Sequence, residues 1–305
     1  MLKTKAVLGL MVLLAVSIGA QAGVIFDMGW DLDQTGRQTN SELTIDTTGT
    51  VGVDAYDGWF SGNENTVTVV DGATANSPSG TNVVDFTTDI VNPAKNMGAV
   101  VLRDARVYGD LIDLYGGRTA ESPDTPSPYM QIGATDEWTI EAMFSCTNDG
   151  SRGAIIANNG SSGLPEWWIR VRGDTDGAIQ SYFEDGDGAV ISAEHGSGYN
   201  DGEWYHLAVV FDRDDTTPTT VTVTNYINGV PLGSVTVENM DAVGDGTRDI
   251  EIGEFDGTGA VHFEGMMDRV AISNETLAPG SFVIPEPATL ILLGLGSIAT
   301  LRRKR

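Results

Sequence analysis

Cysteine is nearly missing from this chain: Cys146 is the only one in 305 residues. No internal disulfide can form, so burial has to hold the fold, and the length is sufficient for a sizeable core. Positive charge is the second shortage. Six of the 17 Lys and Arg sit at the two ends (Lys3, Lys5, Arg302, Arg303, Lys304 and Arg305), whereas all of the 43 Asp and Glu except Glu286 lie between Gly23 and Val283. A field this acidic repels nucleic acid and anionic membrane, keeps the chain soluble and attracts cations. Histidine is scarce too, at three, and no nucleophile–base pairing stands out. Helix-favouring Lys or Leu runs are few, and no repeat of solenoid or propeller period occurs.

What is present is strand chemistry. The chain holds 38 glycines and many Thr and Val, a composition of short strands joined by turns. Between Glu203 and Asp212, Tyr205, Leu207, Val209 and Phe211 alternate with Trp204, His206, Ala208 and Val210. Successive side chains of a strand face opposite ways, so this run has one strongly apolar face and one mixed face. Asn228-Gly229 supplies the positive φ angles of a tight hairpin. Further strands are expected at Val24–Asp27, Leu43–Ile45, Trp59–Phe60, Val67–Val70, Val83–Phe86 and Gly98–Leu102. From Trp138–Phe144 the signal becomes regular, through Gly153–Ala157, Trp167–Val171, Ile179–Phe183, Val190–Ser192, Val221–Tyr226, Leu232–Val237, Ile250–Gly253 and Val261–Ser273. That spacing predicts an all-β fold, an antiparallel β-sandwich. Cys146 is expected as a small strand-end residue, Trp204 in the core between the sheets, and His206 as a strand residue satisfied by hydrogen bonding. The three prolines of Glu121–Pro128 mark a loop. The stretch 23–128 is either the opening half of one sandwich or a small partner domain; it shows no self-contained core, which favours the first.

Both ends carry processing signals. Met1–Ala22 reads as a signal peptide: Lys3 and Lys5, an apolar run from Ala6 to Gly19, and a small-x-small cleavage site at Ala20-Gln-Ala22. At the other end, Pro285-Glu286-Pro287 precedes an apolar stretch, Ala288–Leu301, and a basic end that includes Arg302 and Arg303. As a helix that stretch would be roughly 21 Å long, short of a bilayer core of about 30 Å. The basic cluster holds its end on the cytoplasmic side. The tail is therefore expected to be a transient membrane anchor.

Two family resemblances follow from these residues. Trp204-Tyr-His206, Tyr226-Ile-Asn-Gly229, Trp138–Phe144 and Phe263-Glu-Gly265…Asp268…Ile272 with Leu277 resemble landmarks of laminin-G-like (concanavalin A-like) jelly rolls. They cover residues 129–282 within a jelly roll of 23–283. The tail, 284–305, resembles the PEP-CTERM sorting signal. That resemblance implies export in a Gram-negative bacterium, an exosortase-type protease as partner, and delivery to the cell surface or extracellular matrix.

The same fold houses glycoside hydrolases that place Glu-x-Asp-x-x-Glu on one strand, with carboxyls about 5 Å apart. Here Glu254-Phe-Asp256-Gly-Thr-Gly259 ends in glycine, so the second carboxylate is missing. Calcium is the cofactor to expect, if any. Asp174 and Asp176 in one turn, and Asp185 and Asp187 in another, offer hard oxygen ligands, although Asp-Gly is also ordinary turn chemistry. Asp268 is a third position, which the laminin-G-like resemblance implies as a structural calcium ligand beside the closing strand. Trp167 and Trp168 are candidates for stacking on sugar, and adjacent strand residues must face opposite ways. Arg170, on one strand face with Arg172, is a candidate for an acidic glycan, with salt bridges to Asp as the competing use. The expectation is a non-catalytic module that binds extracellular polysaccharide or a surface protein. The alternatives are a matrix component without a discrete ligand, and a divergent polysaccharide hydrolase.

Overall fold

The structure is a computed structural model that describes residues 24–29, 36–38, 42–45, 56–61, 67–71, 73–78, 83–85, 99–104, 132, 134–147, 152–159, 167–243, 249–253 and 263–282. The first strands are β1 (Val24–Gly29), β2 (Gly36–Gln38), β3 (Glu42–Ile45), β4 (Tyr56–Ser61), β5 (Val67–Val70), β6 (Val83–Asp85) and β7 (Ala99–Asp104). They are followed by β8 (Trp138–Cys146), β9 (Arg152–Asn159), β10 (Trp167–Arg172), β11 (Ala178–Glu184) and β12 (Val190–His195). The last are β13 (Trp204–Asp214), β14 (Thr217–Ile227), β15 (Val230–Val237), β16 (Asp249–Ile252) and β17 (Gly265–Ser273).

Two antiparallel sheets stack as a jelly roll. One has the order β15-β14-β13-β8-β17-β6-β5-β2, with β1 also on β17; the other runs β12-β11-β10-β9-β16-β7-β4-β3. The strands before residue 105 thus extend both sheets rather than forming a sheet of their own. β1 and β6 share one edge of β17, β6 at its start and β1 along the remainder.

Alternation explains the packing. From β8, Trp138, Ile140, Ala142, Phe144 and Cys146 point between the sheets; from β13, Leu207, Val209 and Phe211 do. They meet Trp167, Ile169, Val171, Ile179 and Phe183 of the facing sheet in one buried cluster. Cys146 is buried and is the last residue of its strand. Asn228 and Gly229 take φ of 49° and 72°, the left-handed pair that a two-residue hairpin requires. Gly265 is pressed against the Ser145 carbonyl, where any Cβ would collide.

Two expectations are corrected, and one strand was not expected. Trp204 stands on the outer face, packed on Met143 and Ala271, with its indole N–H donating to the Ala75 carbonyl at 3.2 Å. The alternation separates two faces without saying which is inward, and Tyr205 faces the core instead. The last strand starts at Gly265 rather than Val261. β2, Gly36–Gln38, has no β-branched residue and gave no local signal. The signal peptide with Ala20 and Ala22, the loop 121–128, the Glu254–Gly259 run and the tail from 283 lie outside the described residues.

Candidate binding face on the outer sheet

The chemistry-bearing side chains gather on the outward face of β9–β12. Trp167 and Trp168 diverge as the pleat demands. Trp167 is 1% exposed, edge-on to Trp138 at 6.4 Å and stacked on Phe183 at 6.3 Å. It is a core residue, and stacking on a ligand is ruled out by that burial. Trp168 faces outward with Arg170 and Arg172.

The register fixes the neighbours. Trp168 lies opposite Tyr182 and Ala157, and Arg170 opposite Gln180 and Ala154. The two alanines leave room for the larger side chains. Trp168 and Tyr182 stack with ring centroids 4.9 Å apart and planes 3° from parallel. The Arg170 guanidinium sits 3.9 Å over the indole, a cation–π geometry. Its Nε and Nη2 both donate to Gln180 Oε1, at 2.9 and 2.7 Å, and Gln180 Nε2 donates to Ser192 Oγ. Burial pushes the Arg170 guanidinium down to about 10, with Arg152 and Arg172 adding repulsion, and it remains charged at neutral pH. The Tyr182 hydroxyl donates to Glu184 at 2.7 Å. Burial, and then Glu184, raise that phenol to about 12.

A string of charges borders the aromatic pair. Arg172 grips Asp174 through two nitrogens at 2.9 Å each and reaches Glu194 at 2.5 Å. Arg152 also bonds Asp174, at 3.1 Å. The hydrogen bond from Arg172, reinforced by Arg152, holds the Asp174 carboxyl well below the usual carboxylate range. The pairing of arginine with acidic residues thus takes Arg172, while Arg170 is held by a glutamine and an indole. Tyr182, Gln180, Ser192 and Glu194 were not singled out from the sequence. The short turn Gly173–Gly177 makes Arg172 the partner of Ala178, and counting outward from it would have placed Tyr182 beside Trp168.

The metal candidates do not converge. Asp174 is engaged by two guanidiniums, and Asp176 forms the left-handed corner of the turn at φ 56°. Asp185 is buried and accepts from the amides of Asp187, Ala189 and Asp241 at 2.7 to 3.0 Å; it organises a loop. Asp187 lies exposed in the turn after it. Asp268 differs: it is buried on an irregularity of β17, between Met267 and Arg269, and receives the Ser77 hydroxyl at 2.5 Å. No group of three or more His, Cys, Asp or Glu is placed to hold a metal among the described residues.

The opposite outer face, on β8–β13–β14, carries a buried pair: His206 Nε2 lies 3.0 Å from Glu141 Oε2. His206 is therefore satisfied on one ring nitrogen, while Nδ1 has no partner among the described residues. The C-terminal segment crosses this face. Thr139 Oγ1 donates to the Glu275 carbonyl and accepts from the Leu277 amide, and Thr276 Oγ1 donates to Glu137. Phe282 ends the crossing, edge-on to His206 and to Tyr226 at 5.5 Å each.

Comparisons with known proteins agree with this architecture. The family model described as concanavalin A-like lectin/glucanases superfamily matches residues 118–281, more than half of the chain. The model of the PEP-CTERM protein-sorting motif matches residues 283–305. The binding domain of Paraclostridial Mosquitocidal Protein 1 superposes with a TM-score of 0.51 at 11% identity, covering 85% of this chain and 50% of that one. The botulinum neurotoxin serotype G binding domain gives 0.51 at 13%, covering 84% and 49%. This chain therefore spans about half the length of those structures, and at such identities the likeness is one of fold. Domain 4 of a GH43 extracellular arabinanase from Geobacillus stearothermophilus, solved with arabinotriose, gives 0.49 at 15%, covering 85% and 96%. No protein of curated function matches the sequence significantly.

Proposed function

Because the chain belongs to the concanavalin A-like lectin/glucanase superfamily and carries a PEP-CTERM protein-sorting motif, we propose that it is a non-catalytic binding module exported to the surface or extracellular matrix of a Gram-negative bacterium. An exosortase-type protease would process its tail after transient anchoring in the membrane. Its ligand is a carbohydrate, with a surface protein as the second possibility. The observation that carries this reading is the half-buried Tyr182 ring, backed by its stack on Trp168 and bordered by hydrogen-bonding side chains of balanced charge. Aromatic faces match the apolar faces of sugar rings, and flanking amide and hydroxyl groups supply directional bonds. With Asp174 and Glu194 on Arg172, and Gln180 on Arg170, the strip suits a neutral glycan better than an acidic one.

Calcium, where it participates, fits Asp268 best. Its carboxyl already receives the Ser77 hydroxyl, so a second hard oxygen stands beside it.

The test is binding of the exported protein to a glycan and polysaccharide array, with calcium and with chelator. Selective signal that disappears in Tyr182→Ala supports the reading. No signal under either condition overturns a carbohydrate ligand. The near closure of Trp168, 7% exposed, favours a second reading in that event: a matrix component without a discrete small ligand. Release of reducing ends from laminarin-type glucans, lost in Glu254→Gln, would overturn the non-enzymatic assignment. Deleting Pro285–Arg305 is expected to shift the protein out of surface-associated fractions; unchanged retention contradicts the sorting role.

A further inference from the structure

The sorting motif leaves the fold with almost no spacer. Leu277 is hydrogen-bonded to β8, and Phe282 is seated against His206 and Tyr226. The motif match begins at the next residue, 283. Four residues span at most about 14 Å when fully extended, so Glu286 cannot lie farther than that from Phe282. A protease that cuts near the membrane must take several residues of extended chain into its cleft. With Phe282 seated, the rigid sandwich is held against the mouth of that cleft. Releasing the crossing back to Thr276 adds roughly 20 Å of reach.

What holds the crossing is modest and localised. Three hydrogen bonds through Thr139 and Thr276 fix its start, and one aromatic side chain fixes its end. Between them the Ser281 amide donates to the Ala278 carbonyl, a bond internal to the segment that does not tie it to the sheet. The sheet beneath stays hydrogen-bonded whether or not the crossing is in place, because β8, β13 and β14 pair with one another.

We propose that Asn274–Phe282 is a latch, and that the sorting protease cuts the chain only after Phe282 has left its seat on His206 and Tyr226. This rests on the exosortase reading of the tail. Unlatching also uncovers His206, whose Nε2 is held by Glu141 while its Nδ1 lacks a partner among the described residues.

The experiment follows processing of the full-length chain in its exporting host by pulse-chase. It compares the wild type, Phe282→Ala, and an insertion of six Gly/Ser residues between Phe282 and Val283. Losing the two edge-on aromatic contacts is expected to raise the unlatched population, and with it the cutting rate, by about tenfold. The insertion is expected to accelerate cutting comparably by supplying the missing reach with the latch closed. A second readout separates the two: amide exchange across Thr276–Phe282 rises in Phe282→Ala and stays at wild-type level in the insertion. Equal rates for all three chains overturn the latch while leaving the sorting assignment standing. A wild-type chain that is never cut overturns both.

Discussion

Asn228 holds the backbone of His206 from both sides. Its amide donates to the His206 carbonyl at 2.8 Å, and its side-chain oxygen accepts the His206 amide at 3.0 Å. One turn residue thereby sets the β13–β14–β15 register next to the buried His206–Glu141 pair. Asn228→Ala places a Cβ-bearing residue without that side chain at φ 49°, and is expected to cost about 2 kcal/mol, from left-handed strain plus one hydrogen bond. Asn228→Gly relieves the strain and loses only the bond, about 1 kcal/mol. Urea denaturation of the two variants gives the ordering; a more stable alanine variant would contradict it.

Arg213 is a buried cation without a carboxylate contact among its hydrogen bonds. Its guanidinium donates to the carbonyls of Asp136, Pro218, Met240 and Asp241 at 2.7 to 3.1 Å. Burial lowers its pKa, with Asp136, Asp241 and Asp185 opposing the fall. Four carbonyls from three segments depend on it, so Arg213→Leu is expected to cost about 3 kcal/mol by leaving them unpaired. Arg213→Lys recovers part of that, since one ammonium cannot cover the same fork. Loss of protection of the 238–243 loop in hydrogen exchange is the local signature to measure.

Acid stability should depend on Asp174. Its folded carboxyl holds a proton more weakly than an unfolded one, mainly because Arg172 bonds it. Between the two values the unfolded chain binds more protons, so stability climbs with pH there. The contribution is complete above about pH 5 and is lost as pH falls through the folded value. Asp174→Asn is expected to melt earlier at neutral pH and to show a shallower decline of Tm on the acid side. Parallel Tm curves for the two proteins would remove Asp174 from that slope.

Tyr182 and Tyr205 should titrate late. Burial, with Glu184 for the first and Asp201 for the second, raises each phenol to about 12. Each contributes stability below the unfolded value near 10 that is lost as pH rises through the folded one. Ultraviolet titration should show Tyr182→Phe matching the wild type up to pH of about 11. An early loss of phenolate signal in that variant would mean Tyr182 is not held by Glu184 as described.

Much of the fold was legible because local chemistry and tertiary packing agree. The β13 alternation, the Asn228-Gly229 corner and the Phe263–Asp268 run each contain their own instructions. Placement of the site was less legible. That Trp167 and Trp168 oppose each other follows from the pleat, but which one faces the core depends on the second sheet. Arg172 and Asp174 are two residues apart and could be paired by inspection; Arg152 joins them only through the β9–β10 register. Asp185 looked like a turn carboxylate, and its third amide comes from Asp241, far along the chain. Trp204 was misplaced because the Ala75 turn that covers it leaves no mark near residue 204.

The position of β17 bears on when folding can finish during export. This strand lies between β8 and the pair β1 and β6, so its sheet is divided until residue 273 arrives. A chain crossing a membrane from its N-terminus would keep β1 waiting, unpaired, for nearly the whole passage, which is the slow, long-range closure of high contact order. Ten residues after β17 ends, the sorting motif begins. On the proposed export and transient anchoring of the tail, completion of the sheet and arrival of the motif at the membrane would be nearly the same event, and a pause there would give the last strand time to find its place.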